Sequence, residues 1–165
     1  MHYLIDGYNL LFKLSSPAKR PLEKKRLLLI SELNEVVSLL KLNATIVFDG
    51  SLPLPAETTR QHFDALEIVY TTAEQNADAY IIKEVENAKR PSQITVITSD
   101  RSLTMQCRSL GAQAQSIHDF LAFIQKKKKK KRQISAATRE GAFRESDTQI
   151  ARYLKIFENR VKNEE

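Results

Sequence analysis

Four aspartates occur where short apolar segments end or where a helical pattern begins. Asp6, Asp49 and Asp100 each follow an apolar segment, and Asp78 stands near the start of a helical pattern. Carboxylates gathered in one place repel each other unless a cation neutralises them, and hard oxygen ligands select Mg²⁺ or Mn²⁺ over softer metals. We therefore interpret these four residues as a candidate divalent-metal site.

A divalent cation held by carboxylates supports nuclease chemistry. Mg²⁺ with few protein ligands keeps waters in its shell, activates one of them and neutralises charge on a phosphodiester during in-line attack. One cysteine and three widely separated histidines exclude a zinc site of the usual spacing. The amide of Asn9 is a candidate for orienting a metal-bound water or a substrate phosphate. Thr98 and Ser99 are candidates for bonding waters of the metal shell or for satisfying backbone groups.

Each of these residues also has a purely structural interpretation. Asp6 and Asp49 precede glycine, which is a turn signal. Asp78 would favour a helix dipole, Asp100 would cap the helix that follows, and Asn9 would form a loop. A shared site is favoured because the four aspartates fall on one edge of a predicted sheet.

The elements that position these residues alternate between two patterns. Apolar, β-branched segments predict strands at residues 3–5, 44–48, 66–71 and 94–98, with a weaker strand at 113–116. Helical spacing predicts helices at 22–40, 76–88, 102–110 and 117–124, with a loop before the first and Gly111 ending the third. Apolar strands alternating with helices indicate an α/β fold with a parallel sheet covered on both faces. The carboxyl ends of parallel strands share an edge, which is where ligands bind.

Composition sets the class of protein. A chain of 165 residues with 42% hydrophobic content suits one ordinary domain. The single cysteine, Cys107, cannot form an intramolecular disulfide, and a position within a predicted helix indicates packing. The first residues lack the features of a signal peptide, and no apolar stretch is long enough to span a bilayer. We expect a cytoplasmic protein.

The positive charge of the chain is concentrated in one tract. Residues 1–125 carry 13 Lys and Arg against 14 Asp and Glu, and residues 133–165 carry 6 against 6. The net charge of +6 therefore belongs to seven consecutive residues, the basic tract: Lys126, Lys127, Lys128, Lys129, Lys130, Lys131 and Arg132. The tract either extends the last predicted helix or forms a flexible arm.

A localised basic run favours a polyanion as partner. Lysine contacts phosphates as a point charge, and no aromatic residue is interleaved for base stacking, so we expect the tract to bind RNA by charge. An anionic membrane surface and a solvated linker are the alternatives. The predicted organisation is a catalytic domain at 1–125, the basic tract at 126–132, and a polar linker with a C-terminal helix at 133–165.

Four segments carry a resemblance to a known family. Residues 4–10 read LIDGYNL, residues 47–50 read VFDG, residues 70–78 run from Tyr-Thr to Ala-Asp, and residues 96–100 read VITSD before Gly-Ala at 111–112. In this order, the segments resemble the NYN domain, a PIN-like nuclease family, and in particular its bacterial YacP-like branch. The resemblance covers roughly residues 1–124.

The resemblance implies a PIN-like three-layer fold with a central parallel sheet, a divalent-metal site and endoribonuclease activity. Some relatives act on mRNA in association with the ribosome. By matching motif positions, Asp6, Asp78 and Asp100 are the acidic site residues, with Asn9 and Asp49 as neighbours. Many relatives have a further acid just before the Ala-Asp pair, where this chain offers only Glu74.

Three functional hypotheses follow. The first is a Mg²⁺-dependent endoribonuclease, acting on mRNA or rRNA. The second is a non-catalytic RNA- or ribosome-binding factor on the same fold. The alanine at position 73 supports this second hypothesis. A phosphatase is disfavoured because Asp6-Gly7-Tyr8 lacks a second acid two residues on.

Overall fold

The computed structural model describes residues 1–14, 21–50, 58–72 and 74–138, with side chains described as far as residue 133. In chain order the strands are β1 (His2–Asp6), β2 (Asn43–Phe48), β3 (Thr59–Phe63), β4 (Leu66–Tyr70), β5 (Ile94–Ile97) and β6 (Gln113–Gln115). The helices are α1 (Gly7–Leu14), α2 (Leu22–Leu40), α3 (Ala77–Glu86), α4 (Arg101–Ser109) and α5 (Ile117–Thr138), and a short 3₁₀ turn, Pro91–Gln93, precedes β5.

The strands form one sheet in the order β3-β4-β2-β1-β5-β6. All neighbours pair in parallel except β3, which is antiparallel to β4 at the edge. The predicted α/β fold with a central parallel sheet is confirmed, but the sequence analysis missed β3. Its residues, TRQHF, are mostly exposed and lack an apolar pattern, because an edge strand with a solvated face needs none.

Helices cover both faces of the sheet. α1, α2 and α5 pack on one face with Ile5, whereas α3 and α4 pack on the other with Leu4. Neighbouring residues of a strand point to opposite faces, so a strand covered on both sides is apolar throughout, as β2 is. This three-layer arrangement explains why unbroken apolar runs marked the strands. None of the helices in the described residues is long and apolar enough to cross a membrane.

Two helices differ from prediction. α1 starts directly after β1, where a loop was expected, and buries Leu10 and Leu11. α5 was predicted over 117–124 and is longer, because it continues through the basic tract to Thr138, which was one of the two alternatives for the tract. Its apolar pattern ends at Ile124, yet the chain from there to 138 contains no glycine or proline, and lysine is a good helix former. Two prolines predict an irregular segment at 51–55, and helical spacing predicts a C-terminal helix from Ile150 onwards. Both predictions lie outside the described residues.

The start of α1 lies unusually close to β2 at Gly7. A Cβ atom on this residue would stand 2.6 Å from Cδ1 of Phe48 and 2.7 Å from the carbonyl oxygen of Val47. Real Cβ atoms do not approach backbone oxygens so closely, and the oxygen of a central strand cannot move aside. The glycine after Asp6 is therefore required by helix–strand packing.

We predict that Gly7→Ala destabilises the protein by roughly 1–3 kcal/mol through overpacking against Phe48 and Val47. The measurement is urea unfolding followed by circular dichroism. Helix propensity alone predicts the opposite sign, since Ala is favoured over Gly in helices by up to about 1 kcal/mol. A stabilised variant would therefore contradict the close approach.

Candidate active site at the carboxyl edge of the sheet

The structure places the four aspartates on one edge of the sheet. Asp6 is the last residue of β1, and Asp49 follows β2 directly. Asp100 is the N-cap of α4 just beyond β5, and Asp78 lies in the first turn of α3. Because β1, β2 and β5 run parallel, their carboxyl ends meet at this edge, which we call the carboxylate edge.

Asp6 is the most enclosed of the four, with 8% of its surface exposed. Its Oδ1 accepts a hydrogen bond from the backbone N–H of Asn9 at 3.1 Å, and its Oδ2 accepts one from Oγ1 of Thr98 at 3.2 Å. Burial raises the pKa of Asp6 to about 6, and the negative charges of Asp78 and Asp49 add to this rise against the two hydrogen bonds. The ionised form of Asp6 is therefore poorly compensated by the protein.

Asp49 and Asp100 are held by the first turns of helices. Oδ1 of Asp49 accepts a hydrogen bond from the backbone N–H of Ala77 in α3 at 2.5 Å. Oδ1 of Asp100 accepts one from the backbone N–H of Leu103 in α4 at 2.8 Å. Asp100 is thus a helix cap, which was its structural alternative. The partially positive amino ends of two helices point at the carboxylate edge and stabilise negative charge there.

Asp78 interacts electrostatically with the other three aspartates. It is partly buried, and its pKa is raised by burial, then by the charges of Asp100 and Asp49. Together with the effect of Asp78 and Asp49 on Asp6, this couples all four carboxylates. Glu74 is exposed and is not among the charges that raise either pKa.

Two polar side chains tie β1 to the segment after β5. Oγ1 of Thr98, which donates to Asp6, also accepts the backbone N–H of Asp100 at 3.0 Å. The side-chain oxygen of Asn9 accepts the backbone N–H of Ser99 at 2.9 Å. Asn9 therefore positions the loop between β5 and α4, whereas contact with a metal-bound water remains a prediction. Thr98 is a positioning residue, because it acts through Asp6.

The donor set suits a hydrated magnesium ion better than a closed cage. Within the described ranges, no three carboxylate, histidine or cysteine side chains lie close enough together to hold one metal ion directly. Mg²⁺, however, is usually bound by one or two carboxylates and keeps several waters, with substrate phosphates completing its shell. The four coupled carboxylates offer only oxygen donors and an excess of negative charge. These residues fit such an ion.

An aromatic cluster adjoins the carboxylate edge, and sequence reasoning missed most of it. The Tyr8 ring packs edge-on against Phe48 at 5.3 Å, and its hydroxyl accepts a hydrogen bond from Nη1 of Arg26 at 3.3 Å. The Arg26 guanidinium lies 5.1 Å from the ring centre of Tyr70. Tyr8 is therefore a packed residue. Phe12 stacks on it at 5.8 Å and is 65% exposed, and the spacing of four residues within α1 was the available signal.

The basic tract does not join this site. It forms the middle of α5, and Nζ of Lys131 donates a hydrogen bond to the carbonyl oxygen of Leu39 near the end of α2. The end of α2 precedes the start of β2, so this contact lies at the amino edge of the sheet. The structure thus separates the two sets of predicted site residues.

Comparisons with known proteins agree with this architecture. The model of the YacP-like NYN domain family matches residues 3–163, which includes the basic tract. A crystal structure of a point variant of Rae1 (YacP) from Bacillus subtilis is similar with a TM-score of 0.63 and 23% identity, over 98% of this chain and 96% of that one. A second crystal structure of Rae1 (YacP) from Bacillus subtilis gives a TM-score of 0.59 and 22% identity, over 99% and 91%. No curated protein sequence matches the chain. The predicted resemblance and PIN-like fold are confirmed.

The geometry of Asp6 predicts a stability cost that depends on pH. Its pKa is about 6 in the folded protein against an ordinary 3.8, so the folded state binds the proton more tightly and stability falls as pH rises between these values. We expect Asp6→Asn, measured in EDTA, to raise the free energy of unfolding at pH 8 by on the order of 2 kcal/mol. The gain should vanish at about pH 2.5, where both states are protonated. Asp64→Asn is the control, because Asp64 is exposed and asparagine tolerates its positive φ of 55°.

Proposed function

This chain belongs to the YacP-like NYN domain family, and from that membership we propose that it is a Mg²⁺- or Mn²⁺-dependent endoribonuclease. NYN domains have a nuclease-like fold and are generally ribonucleases. The observation that carries the proposal is the carboxylate edge, where four aspartates from four segments are electrostatically coupled. A protein without a use for a cation has no reason to gather uncompensated negative charge in this way.

Asp6 and Asp78 are the residues proposed to hold the ion, with Asp49 and Asp100 within reach of its water shell. When bound, the ion supplies an activated water and neutralises negative charge on the phosphodiester. The backbone N–H of Asn9 and the hydroxyl of Thr98 keep the Asp6 carboxylate in one orientation. The helix amino ends hold Asp49 and Asp100 in the same way, so the edge needs little rearrangement when RNA arrives.

The substrate class is inferred from family and charge. RNA is the proposed substrate, and mRNA on the ribosome is the context that the resemblance implies. The basic tract supplies affinity for phosphates without base readout. The cytoplasm is the proposed location, since Cys107, the sole cysteine, is buried and lies within α4 as a packing residue.

A second candidate function is a non-catalytic RNA- or ribosome-binding factor. It is favoured by the lack of a three-ligand cluster in the described part of the chain and by the exposed position of Glu74. A Mn²⁺ or Mg²⁺ titration with a fluorescent RNA separates the two, because only the enzyme shortens the RNA in proportion to metal occupancy.

We predict that Asp78→Asn abolishes metal-dependent cleavage of RNA while the circular dichroism spectrum and thermal midpoint are kept. The amide has a similar shape but lacks the charge that attracts the ion, and Asp78 is only partly buried. Asp64→Asn, an equal change at an exposed turn remote from the edge, should cleave at the wild-type rate. Cleavage by Asp78→Asn at that rate would remove Asp78 from the site.

Asp6→Asn should also abolish cleavage, and the double variant with Asp78→Asn should be little worse than either single one. Residues that bind the same ion act as a unit, so the second substitution removes a function already lost. Single-turnover rates of all three variants at saturating metal make the comparison. Losses that multiply would show two independent contributions and no shared site.

A further inference from the structure

The basic tract lies at the far end of the molecule from the carboxylate edge. β6 runs parallel to β5, so α5 begins at the carboxylate edge and runs back along the sheet. At 1.5 Å per residue, Lys126 to Lys130 stand roughly 14–20 Å along the helix from its first residue. The bond from Lys131 to the carbonyl of Leu39 fixes this part of α5 beside the end of α2.

Two lysines of the basic tract contact other helices of the protein. Lys131 makes the bond to α2, and Lys128 is partly buried in the groove between α1, α2 and α5. Burial and the charge of Arg132 lower the pKa of Lys128, while Glu35 and Glu32 of α2 oppose this effect. Lys128 and Lys131, three residues apart, thus lie on the face of α5 that contacts α2.

The opposite face of α5 presents the remaining charge to solvent. Lys126, Lys129 and Lys130 are exposed and fall at helical spacings of three and four, which places them on one face. We call them the basic stripe. Lys127 stands at its side, with its Nζ 5.1 Å from the ring centre of Phe123. Three exposed ammonium groups on one face of a helix suit a row of phosphates.

We propose that the basic stripe is an RNA exosite, which binds phosphates remote from the scissile bond and makes the protein select RNAs by length. This inference rests on the proposed ribonuclease function, because it takes the carboxylate edge as the place of cleavage. The two sites are about 14–20 Å apart along α5 alone. A stacked strand rises 3.4 Å per nucleotide, so a tetranucleotide spans only about 10 Å and contacts one of the two sites at a time. A longer RNA reaches both.

The basic stripe affects the affinity for RNA and takes no part in the cleavage step. Lysine reads phosphate charge without reading bases, so the stripe favours long RNAs of any sequence. An RNA bound there raises the local concentration of its other parts near the carboxylate edge. The position of the cut is then set at that edge by metal and carboxylate geometry.

The test compares Lys126→Gln/Lys129→Gln/Lys130→Gln with wild type on a 30-nucleotide RNA and a tetranucleotide. Binding of the 30-mer is measured in EDTA at several salt concentrations. The log–log slope of affinity against salt should fall by roughly 2 in the triple variant, since about 0.7 is lost for each phosphate contact. In Mg²⁺, kcat/KM should fall about tenfold or more for the 30-mer and stay unchanged for the tetranucleotide.

The matched control is Lys83→Gln/Lys89→Gln/Arg90→Gln. These residues are exposed at the end of α3 and in the turn before β5, so they lie at the same edge but on the other face of the sheet. The change in net charge is identical. Full retention of 30-mer affinity in the control shows that position, and not total charge, matters. An equal loss in both triple variants overturns the exosite.

Other outcomes also decide the matter. An unchanged salt slope in the stripe variant refutes the exosite even if cleavage persists. Absence of cleavage by wild type, both of free RNA and of mRNA bound to ribosomes, refutes the enzyme and leaves the binding result valid. An equal loss on the tetranucleotide would place the stripe inside the cleavage site and overturn the separation. If the variant instead loses only sedimentation with phosphatidylserine vesicles, the partner is a membrane surface and the RNA proposal fails.

Discussion

The burial of Asp6 beside other carboxylates at the end of the sheet is the constraint on which the candidate site depends. Parallel strands end at the same edge, and the helices that return the chain begin there, so acids and helix amino ends meet by topology. Backbone N–H groups from the first turns of α1, α3 and α4 bond to Asp6, Asp49 and Asp100. These bonds offset part of the cost of the negative charge, yet burial, with the charges of Asp78 and Asp49, still raises the pKa of Asp6 to about 6. A bound cation would offset the part of this electrostatic cost that the hydrogen bonds leave.

The close contact of α1 with β2 determines how Asp6 is presented. Because Gly7 has no side chain, the helix starts against Phe48 and the backbone of Val47, immediately after the strand. The turn brings the N–H of Asn9 back onto Asp6, and the Asn9 side chain then reaches Ser99. One glycine thus connects the packing of the core with the geometry of the site.

Charge is divided between the two edges of the sheet. The acidic edge repels RNA unless a cation is present, whereas the exposed lysines of α5 attract RNA at all times. Under the proposed function, this arrangement would separate the binding of a polyanion from its cleavage.

The sequence by itself determined the class of fold, the family and the edge on which the aspartates lie. Apolar runs predicted four of the parallel strands, because a strand covered on both faces must be apolar, whereas the fifth, β6, is polar and gave only a weak pattern. The bounds of α2 matched the predicted ones. The order of apolar and polar residues and the backbone propensities are local properties of the chain, so they can be read from the sequence.

Only the tertiary structure decided which residues contact one another. It showed that Thr98 joins Asp6 to the N–H of Asp100 and that β3 pairs with β4 at the edge of the sheet. It also showed that Lys128 and Lys131 lie on the side of α5 that contacts α2, whereas Lys126, Lys129 and Lys130 face solvent. The sequence analysis treated the seven basic residues as one unit because charge alone does not distinguish them. Strand register and helix packing bring together residues as far as 92 positions apart, and no local pattern specifies that distance.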